Sequence, residues 1–166
     1  MITRSDTDVA TNEKLKGLLL HADAGLANER FWKELAQLSI TISRTTSVSI
    51  YVYENAALRI AASAGTILSS ERIGLWEALM RTDHYTEVED TLKDVVYKFD
   101  MRVLDQPVIR FLAGMPIMDS EGNRIGILAL SDSKPRKFSG EQIQSLSIIS
   151  RIIAVHLEMK NRIVPA

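Results

Sequence analysis

Cysteine is absent from this chain of 166 residues. That absence excludes disulfides, thiolate zinc sites and cysteine nucleophiles together. Neither sign of charge is in excess: Lys plus Arg is 20, Asp plus Glu is 21, and the net charge is −1. Such a balance offers no electrostatic footprint for nucleic acid or an acidic membrane, so neither is expected as a partner. No apolar run approaches the length of a membrane span, and the N-terminus lacks a signal-peptide pattern. A cytoplasmic, soluble protein is expected. There is no internal repeat and no low-complexity segment. What is present is ordinary globular composition, 46% apolar and 25% charged, on a chain long enough for one domain with a real core.

Residues able to do chemistry are also few. The histidines are His21, His84 and His156, and none lies at metal-ligand spacing from another or from an acidic cluster. No metal site is expected. Glu87, Glu89, Asp90 and Asp94 form the densest acidic group. They fall at a strand end and a helix start, so they read as caps and dipole partners rather than an acid–base pair. No phosphate-cradling glycine loop and no nucleophile elbow occurs. No catalytic residue is assigned, and the chain is not expected to be an enzyme.

The apolar periodicity predicts an N-terminal helix from Asp8 to about Ala24, carrying Leu15, Leu18, Leu19 and Ala22, with Gly25 as its stop. A second helix is expected from Asn28 as N-cap, with Phe31, Leu35, Leu38 and Ile42 at helical spacing and Trp32 and Ala36 beside them. Residues 47–54 alternate, with Val48, Ile50 and Val52 opposite Ser49, Tyr51 and Tyr53, which is a strand. A strand from Leu58 to Ser63, a helix from Ser70 to Arg81 and a short strand from Tyr85 to Val88 follow. The stretch from Thr91 to Met101 has room for a short helix, with Val95, Val96 and Phe99 inward. The order α-α-β-β-α-β-(α)-β-β-α argues an α+β fold with a mainly antiparallel sheet.

The most informative stretch runs from Ile109 to Phe138. It holds two apolar strands around Asp119-Ser120-Glu121-Gly122-Asn123, where Gly122 can take the positive φ of a tight turn. Phe111, Ala113, Met115 and Ile117 share a face of the first strand. Ile125, Ile127 and Ala129 share a face of the second, with Leu128 and Leu130 on the other. Apolar residues on both faces place this hairpin centrally in its sheet. Asp132 can accept backbone N–H bonds at the strand end, and Arg136 can pair with it across the turn.

This run resembles the GAF family of small-molecule-sensing domains. The matching residues are Ile109-Arg110-Phe111, Ala113-Gly114-x-Pro116, Asp119-x-x-Gly122-x-x-Ile125-Gly126-x-Leu128 and Asp132-x-x-Pro135-Arg136-x-Phe138-Ser139. With looser matches upstream, the resemblance covers about Phe31 to Glu158. It implies a GAF-like (profilin-like, PAS-related) central antiparallel sheet of five to six strands with flanking helices. Residues 1–27 would then be an N-terminal helix for dimer or bundle contacts. Residues 28–162 would be the GAF-like domain, with 139–162 its C-terminal packing and signalling helix. Gly114, Pro116, Gly122, Gly126, Asp132, Pro135, Arg136 and Phe138 are read as structural motif residues.

The resemblance also implies a ligand cavity between the sheet and the helices and loops spanning the second to fourth strands. Its walls would come from Tyr51 and Tyr53, or Val52 if the faces are reversed. The other walls would be Trp76, Met80, Tyr85, Asp90, Phe99, Arg102 and Phe111, with Arg102 receiving an anion and Asp90 a donor. The ligand is unknown. Lack of cysteine excludes a covalent bilin and the methionine-sulfoxide-reducing chemistry of one family branch. Haem and non-covalent chromophores are disfavoured.

On the last helix, Leu146, Ile149, Ile153 and Leu157 form one apolar stripe, and Ile148, Ile152, Val155 and Met159 a second on the nearly opposite face. One stripe suits the sheet. The second predicts a homodimer through terminal helices, with the N-terminal helix as the alternative cover. The expected function is a cytoplasmic sensory or regulatory domain in signal transduction, read by a separate output protein. A ligand-free dimerisation or protein-interaction module is the alternative.

Overall fold

A computed structural model describes the backbone of residues 26–163 and the side chains of residues 29–161. The expected helix from Asp8 to Ala24, its stop at Gly25, and His21 lie outside the described residues. Helix α1 spans Leu26–Ser43, so Asn28 lies inside the helix rather than at its cap. Its buried face is Trp32, Leu35, Ala36, Ser39 and Ser43, and Leu38 is exposed. Phe31 and Ile42 of the expected stripe pack at the edge of this face, and Leu38 alone turns to solvent. Small Ser39 and Ser43 pass as polar in sequence. In the fold their hydroxyls donate back to the carbonyls of Leu35 (2.7 Å) and Ile40 (3.5 Å), which makes their burial tolerable.

Strand β1 (Ser47–Glu54) and strand β2 (Ala57–Gly65) form a tight hairpin. Asn55 and Ala56 turn it with φ of 52° and 63°, the paired positive values of the turn that best matches strand twist. Asparagine tolerates that region; alanine is strained there. Ala56→Gly is therefore expected to raise stability by about 0.5–1 kcal/mol in urea unfolding.

A single turn of 3₁₀ helix (Ser70–Arg72) leads into α2 (Ile73–Leu79), shorter than the expected helix from Ser70 to Arg81. Strand β3 (Thr86–Val88) follows, then a 3₁₀ turn (Thr91–Lys93) and α3 (Met101–Leu104). Strands β4 (Phe111–Met118) and β5 (Arg124–Asp132) precede the long α4 (Gly140–Ile163). The five strands form one antiparallel sheet in the order β2-β1-β5-β4-β3. The expected fold class is the observed one, with the hairpin from Ile109 to Phe138 supplying the central strand.

Both sheet faces are covered. Against α1 and α4 lie Val48, Ile50, Phe111, Met115, Ile117, Leu128 and Leu130, with Leu146, Ile149 and Ile153 of α4 packed on them. Against α2 and α3 lie Tyr51, Leu112, Ile127 and Ala129, under Leu75, Trp76, Leu79 and Met80. Ile125 packs with the α1–α4 side, not with Ile127 as the alternation suggested. A register shift between Ile117 and Met118 gives β5 an extra residue there, which flips it to the other face.

The motif residues have structural explanations. Gly122 has φ 83°, and the Asp119 carboxylate accepts from the backbone N–H groups of Glu121 (2.9 Å) and Asn123 (2.8 Å), which fixes the turn. At Gly126 a Cβ would meet the Tyr51 carbonyl oxygen at 2.4 Å, and at Gly114 it would meet Met80 Cε at 2.9 Å. Pro116 lies past the end of β3, which pairs only with Leu112–Gly114. An open edge is where a sheet tolerates a residue without an N–H. Phe138 packs on Phe111 with ring centroids 4.9 Å apart. Asp132 is buried and accepts from the Lys134 N–H (3.0 Å) and from Arg136 Nε (2.6 Å), closing the turn that carries Pro135.

Candidate functional site

The nine residues expected to wall one cavity are divided by the sheet. Tyr51, Trp76 and Met80 come together beneath α2. This settles the alternation in β1: Tyr51 faces α2, and Val52 faces α1 and α4. Phe111 and Tyr85 pack instead on the α1–α4 side, where Tyr85 stacks on Phe138 at 6.4 Å. They cannot share a cavity with Trp76, because β4 itself lies between. Phe111 and Leu112 point to opposite faces by the two-residue period of a strand, and it is Leu112 that faces α2. Phe99 is exposed, with Val95 and Val96, while Tyr97 takes the inward position of that segment. Turns lack a repeat, so an apolar run there does not reveal which residue points in.

The polar members of the expected set are committed to neighbours. Asp90 takes a two-pronged bond from Arg110, Nε at 2.9 Å and Nη2 at 2.8 Å, and also accepts the Leu92 N–H at 3.2 Å. The Arg110 guanidinium holds the Asp90 carboxyl below the ordinary carboxylate range. Arg102 pairs in the same way with Asp100, at 3.0 and 2.6 Å. Its Nη1 lies 2.8 Å from the place a Cβ on Gly74 would occupy, so Arg102 reaches over α2. Tyr53 is half-buried, with its hydroxyl 3.5 Å from Arg124 Nη2.

What the α2 face contains is therefore a packed set. Trp76 is almost fully buried and its Nε1–H donates to the Ala113 carbonyl at 3.0 Å. The Trp76 and Tyr51 rings lie 6.0 Å apart. Burial pushes the Tyr51 hydroxyl above its ordinary pKa. Tyr85 is also shifted upward, by burial and then by Glu87, whose carboxylate accepts its hydroxyl at 2.5 Å. Met80 fills the space above Gly114.

Two arginines that hold the ends of α2 carry no sequence signal. Arg72 is buried, and its guanidinium donates to the carbonyls of Pro107 (2.6 Å) and Asp105 (2.7 Å), stapling the start of α2 to the loop before β4. Arg124 donates to the Met80 carbonyl and lies 3.6 Å from Asp83, fixing the other end of α2. An arginine at an element boundary reads as solvated, so no sequence signal marks either. Cavities lie elsewhere. One of about 320 Å³ opens between the β4 edge and α4, among Tyr85, Met115, Pro116, Ser147 and Arg151. One of about 80 Å³ lies at the end of β1 and β5, beside Pro107 and Asp132.

The second stripe of α4 is as expected: Ile148, Ile152, Val155 and Met159 are exposed, while Leu146, Ile149 and Ile153 are buried. His156 stacks on Phe31 at 4.0 Å and meets Trp32 edge-on at 5.6 Å, which ties α4 to α1.

The sequence profile of the GAF domain matches residues 21–157. No curated protein matches the chain. Among solved structures, the GAF domain of an Acinetobacter phosphoenolpyruvate-protein phosphotransferase is similar, with a TM-score of 0.67 at 14% identity over 99% of each chain. So is a domain described as part of a two-component sensor histidine kinase from Sinorhizobium meliloti. Its TM-score is 0.67 at 16% identity, over 83% of this chain and 96% of that one. A type II free methionine-R-sulfoxide reductase from Thermoplasma acidophilum gives a TM-score of 0.59 at 18% identity, over 79% of this chain and 95% of that one. At such identities these likenesses speak for the fold alone.

Proposed function

We propose, from the premise that this chain belongs to the GAF domain family, that it is a sensory or regulatory domain working in the cytoplasm. In this reading it receives a small molecule on the α2–α3 face of its sheet. The bound state passes through paired α4 helices to a separate output protein. The observation that carries the reading is the unequal cover of the two faces. One face lies under α1 and α4, of 18 and 24 residues. The other lies under α2 and α3, of 7 and 4 residues, joined by turns. Short pieces with few backbone bonds of their own open at low cost. A ligand that displaces Trp76 or Met80 would favour an open arrangement by its differential affinity for that state.

The exposed stripe of α4 supplies the pairing surface, since an apolar stripe of this regularity suits a two-fold contact with itself. The reading is not enzymatic. Sulfoxide reduction by the cysteine chemistry that the family resemblance implies needs a residue type this chain lacks. A second reading, a ligand-free dimerisation module, is favoured by one observation: the α2 face is already filled by Leu75, Trp76, Leu79 and Met80.

Native mass spectrometry of the freshly purified chain, followed by thermal shift across a metabolite library, tests this. The expected result is a dimer, carrying or accepting a small molecule, with hydrogen exchange slowed over residues 70–108. Ile152→Glu with Val155→Glu should run as a monomer. A wild-type monomer would refute pairing through α4. A dimer that no metabolite stabilises would leave the second reading.

A further inference from the structure

The segment between β3 and β4 turns Tyr97 into the core and its neighbours out of it. Val95, Val96, Phe99 and Met101 are 81, 72, 79 and 64% exposed. Side chains so exposed project from the surface rather than line a groove. They are held there by local bonds. The Asp94 carboxylate accepts the N–H groups of Val96 (2.8 Å) and Tyr97 (3.3 Å). The Lys98 N–H donates to the Asp94 carbonyl and the Asp100 N–H to the Tyr97 carbonyl, both at 3.0 Å. Single exposed apolar residues are ordinary. Four large ones within one pinned loop are not.

Charge indicates what they meet. Asp90 is taken by Arg110 at 2.8 Å and Asp100 by Arg102 at 2.6 Å. Asp94 keeps its charge but turns it toward its own backbone. Lys93 and Lys98 form no salt bridge among the described residues, and the Lys98 ammonium lies 5.1 Å from the centre of the Phe99 ring. The whole-chain charge of −1 thus conceals an apolar loop with the Lys98 ammonium against Phe99 and the exposed Lys93 two residues before Val95 in the chain. A lysine beside projecting apolar side chains suits a bilayer surface. Its stem lies along the acyl boundary while its head reaches lipid phosphate. A flat, deformable surface also accepts a protruding tip without the shape match that a protein groove requires.

We propose that the loop from Lys93 to Met101 is a peripheral docking surface for an anionic lipid bilayer. Val95, Val96 and Phe99 enter at headgroup depth, and Lys93 and Lys98 meet the lipid phosphates. The surface needs no bound small molecule, although Tyr97 anchors it on the α2 side of the sheet, opposite the side that α4 covers. No helix among the described residues is long and apolar enough to cross a membrane, so the contact is one of surface association.

The test is sedimentation of the full chain with sucrose-loaded vesicles, either pure phosphatidylcholine or phosphatidylcholine with roughly 30% phosphatidylserine, at low salt. The expected result is binding to the anionic vesicles. The triple change Val95→Ser, Val96→Ser, Phe99→Ser should weaken it at least about tenfold, because each removes buried apolar surface at the headgroups. Lys93→Gln with Lys98→Gln should reduce it to the level seen on phosphatidylcholine. Val95, Val96, Phe99 and Lys93 are exposed and Lys98 is half-buried, and an unchanged thermal unfolding midpoint ties the loss to the surface. Failure of the wild type to sediment with phosphatidylserine vesicles would overturn the proposal, as would undiminished binding by the triple variant. Dissociation of a dimer by the triple change, without vesicle binding, would overturn it too and assign the patch to a protein contact.

Discussion

Trp76→Ala is expected to destabilise the domain by about 3–5 kcal/mol, the usual cost of truncating a buried tryptophan, and to lower the thermal midpoint by roughly 10–20 °C. Trp76 is 1% exposed, and its Nε1–H donates to Ala113. Alanine would remove the packing and the indole bond to that carbonyl. Trp76 lies 6.0 Å from the Tyr51 ring, in a buried cluster that also holds Leu75, Leu79, Met80 and Ile127. Only Met80 is unbranched and flexible enough to move far into the space. A void lined in this way accepts a small aromatic molecule, so indole should restore part of the lost midpoint by mass action. The measurements are urea unfolding and thermal melts with and without indole. A loss below about 1 kcal/mol would mean that the ring is not what fills this face. Recovery with indole would show that the face can hold an aromatic ligand once room exists, which bears directly on the two functional readings.

The next largest effect is expected at Asp132. Asp132→Ala should cost about 2–4 kcal/mol, because it leaves a backbone donor and a guanidinium without their shared acceptor. The Asp132 side chain is 1% exposed, whereas that of Arg136 is 32% exposed. Water can therefore re-solvate Arg136 in a way it cannot re-solvate the site of the carboxylate. Arg136→Ala should accordingly cost less than half as much. Asp132→Asn should fall between, since an amide oxygen can still accept one of the two bonds. Urea unfolding of both single variants and the double variant measures the coupling between them. Equal costs for the two single changes would refute the asymmetry.

Sequence reasoning was reliable where the chain has a strict period or a closed local motif. The alternation through β4 and β5 assigned Phe111, Ala113, Met115 and Ile117 to one face, as observed. The turn at Asp119–Asn123 and the Asp132–Arg136 pair were legible because their bonds lie within five residues. The two stripes of α4 followed from helical spacing. Three kinds of information were not in the pattern. A bulge reverses the parity that alternation relies on, and it moved Ile125 to the other face. Alternation separates faces but does not say which helix covers each, so Phe111 and Tyr85 were grouped with Trp76 although the sheet divides them. In the turns from Thr91 to Met101 no period exists, and the choice of Tyr97 over Val95, Val96 and Phe99 is made by tertiary packing. Four of the nine expected ligand-site residues, Met80, Tyr85, Asp90 and Phe99, lie outside the helices and strands, where no period guides the reading.

The position of β1 has a consequence for synthesis. It lies between β2 and β5. One neighbour follows after the two-residue turn at Asn55 and Ala56, but the other begins only at Arg124. While the ribosome adds the intervening chain, the hairpin of β1 and β2 carries an unpaired margin along β1, where β5 has yet to bond. A nascent strand in that condition invites pairing with a neighbouring copy. Truncation before β5 should therefore yield aggregated material rather than a smaller soluble domain, and the yield of full-length protein should depend on how quickly β5 arrives to occupy that margin.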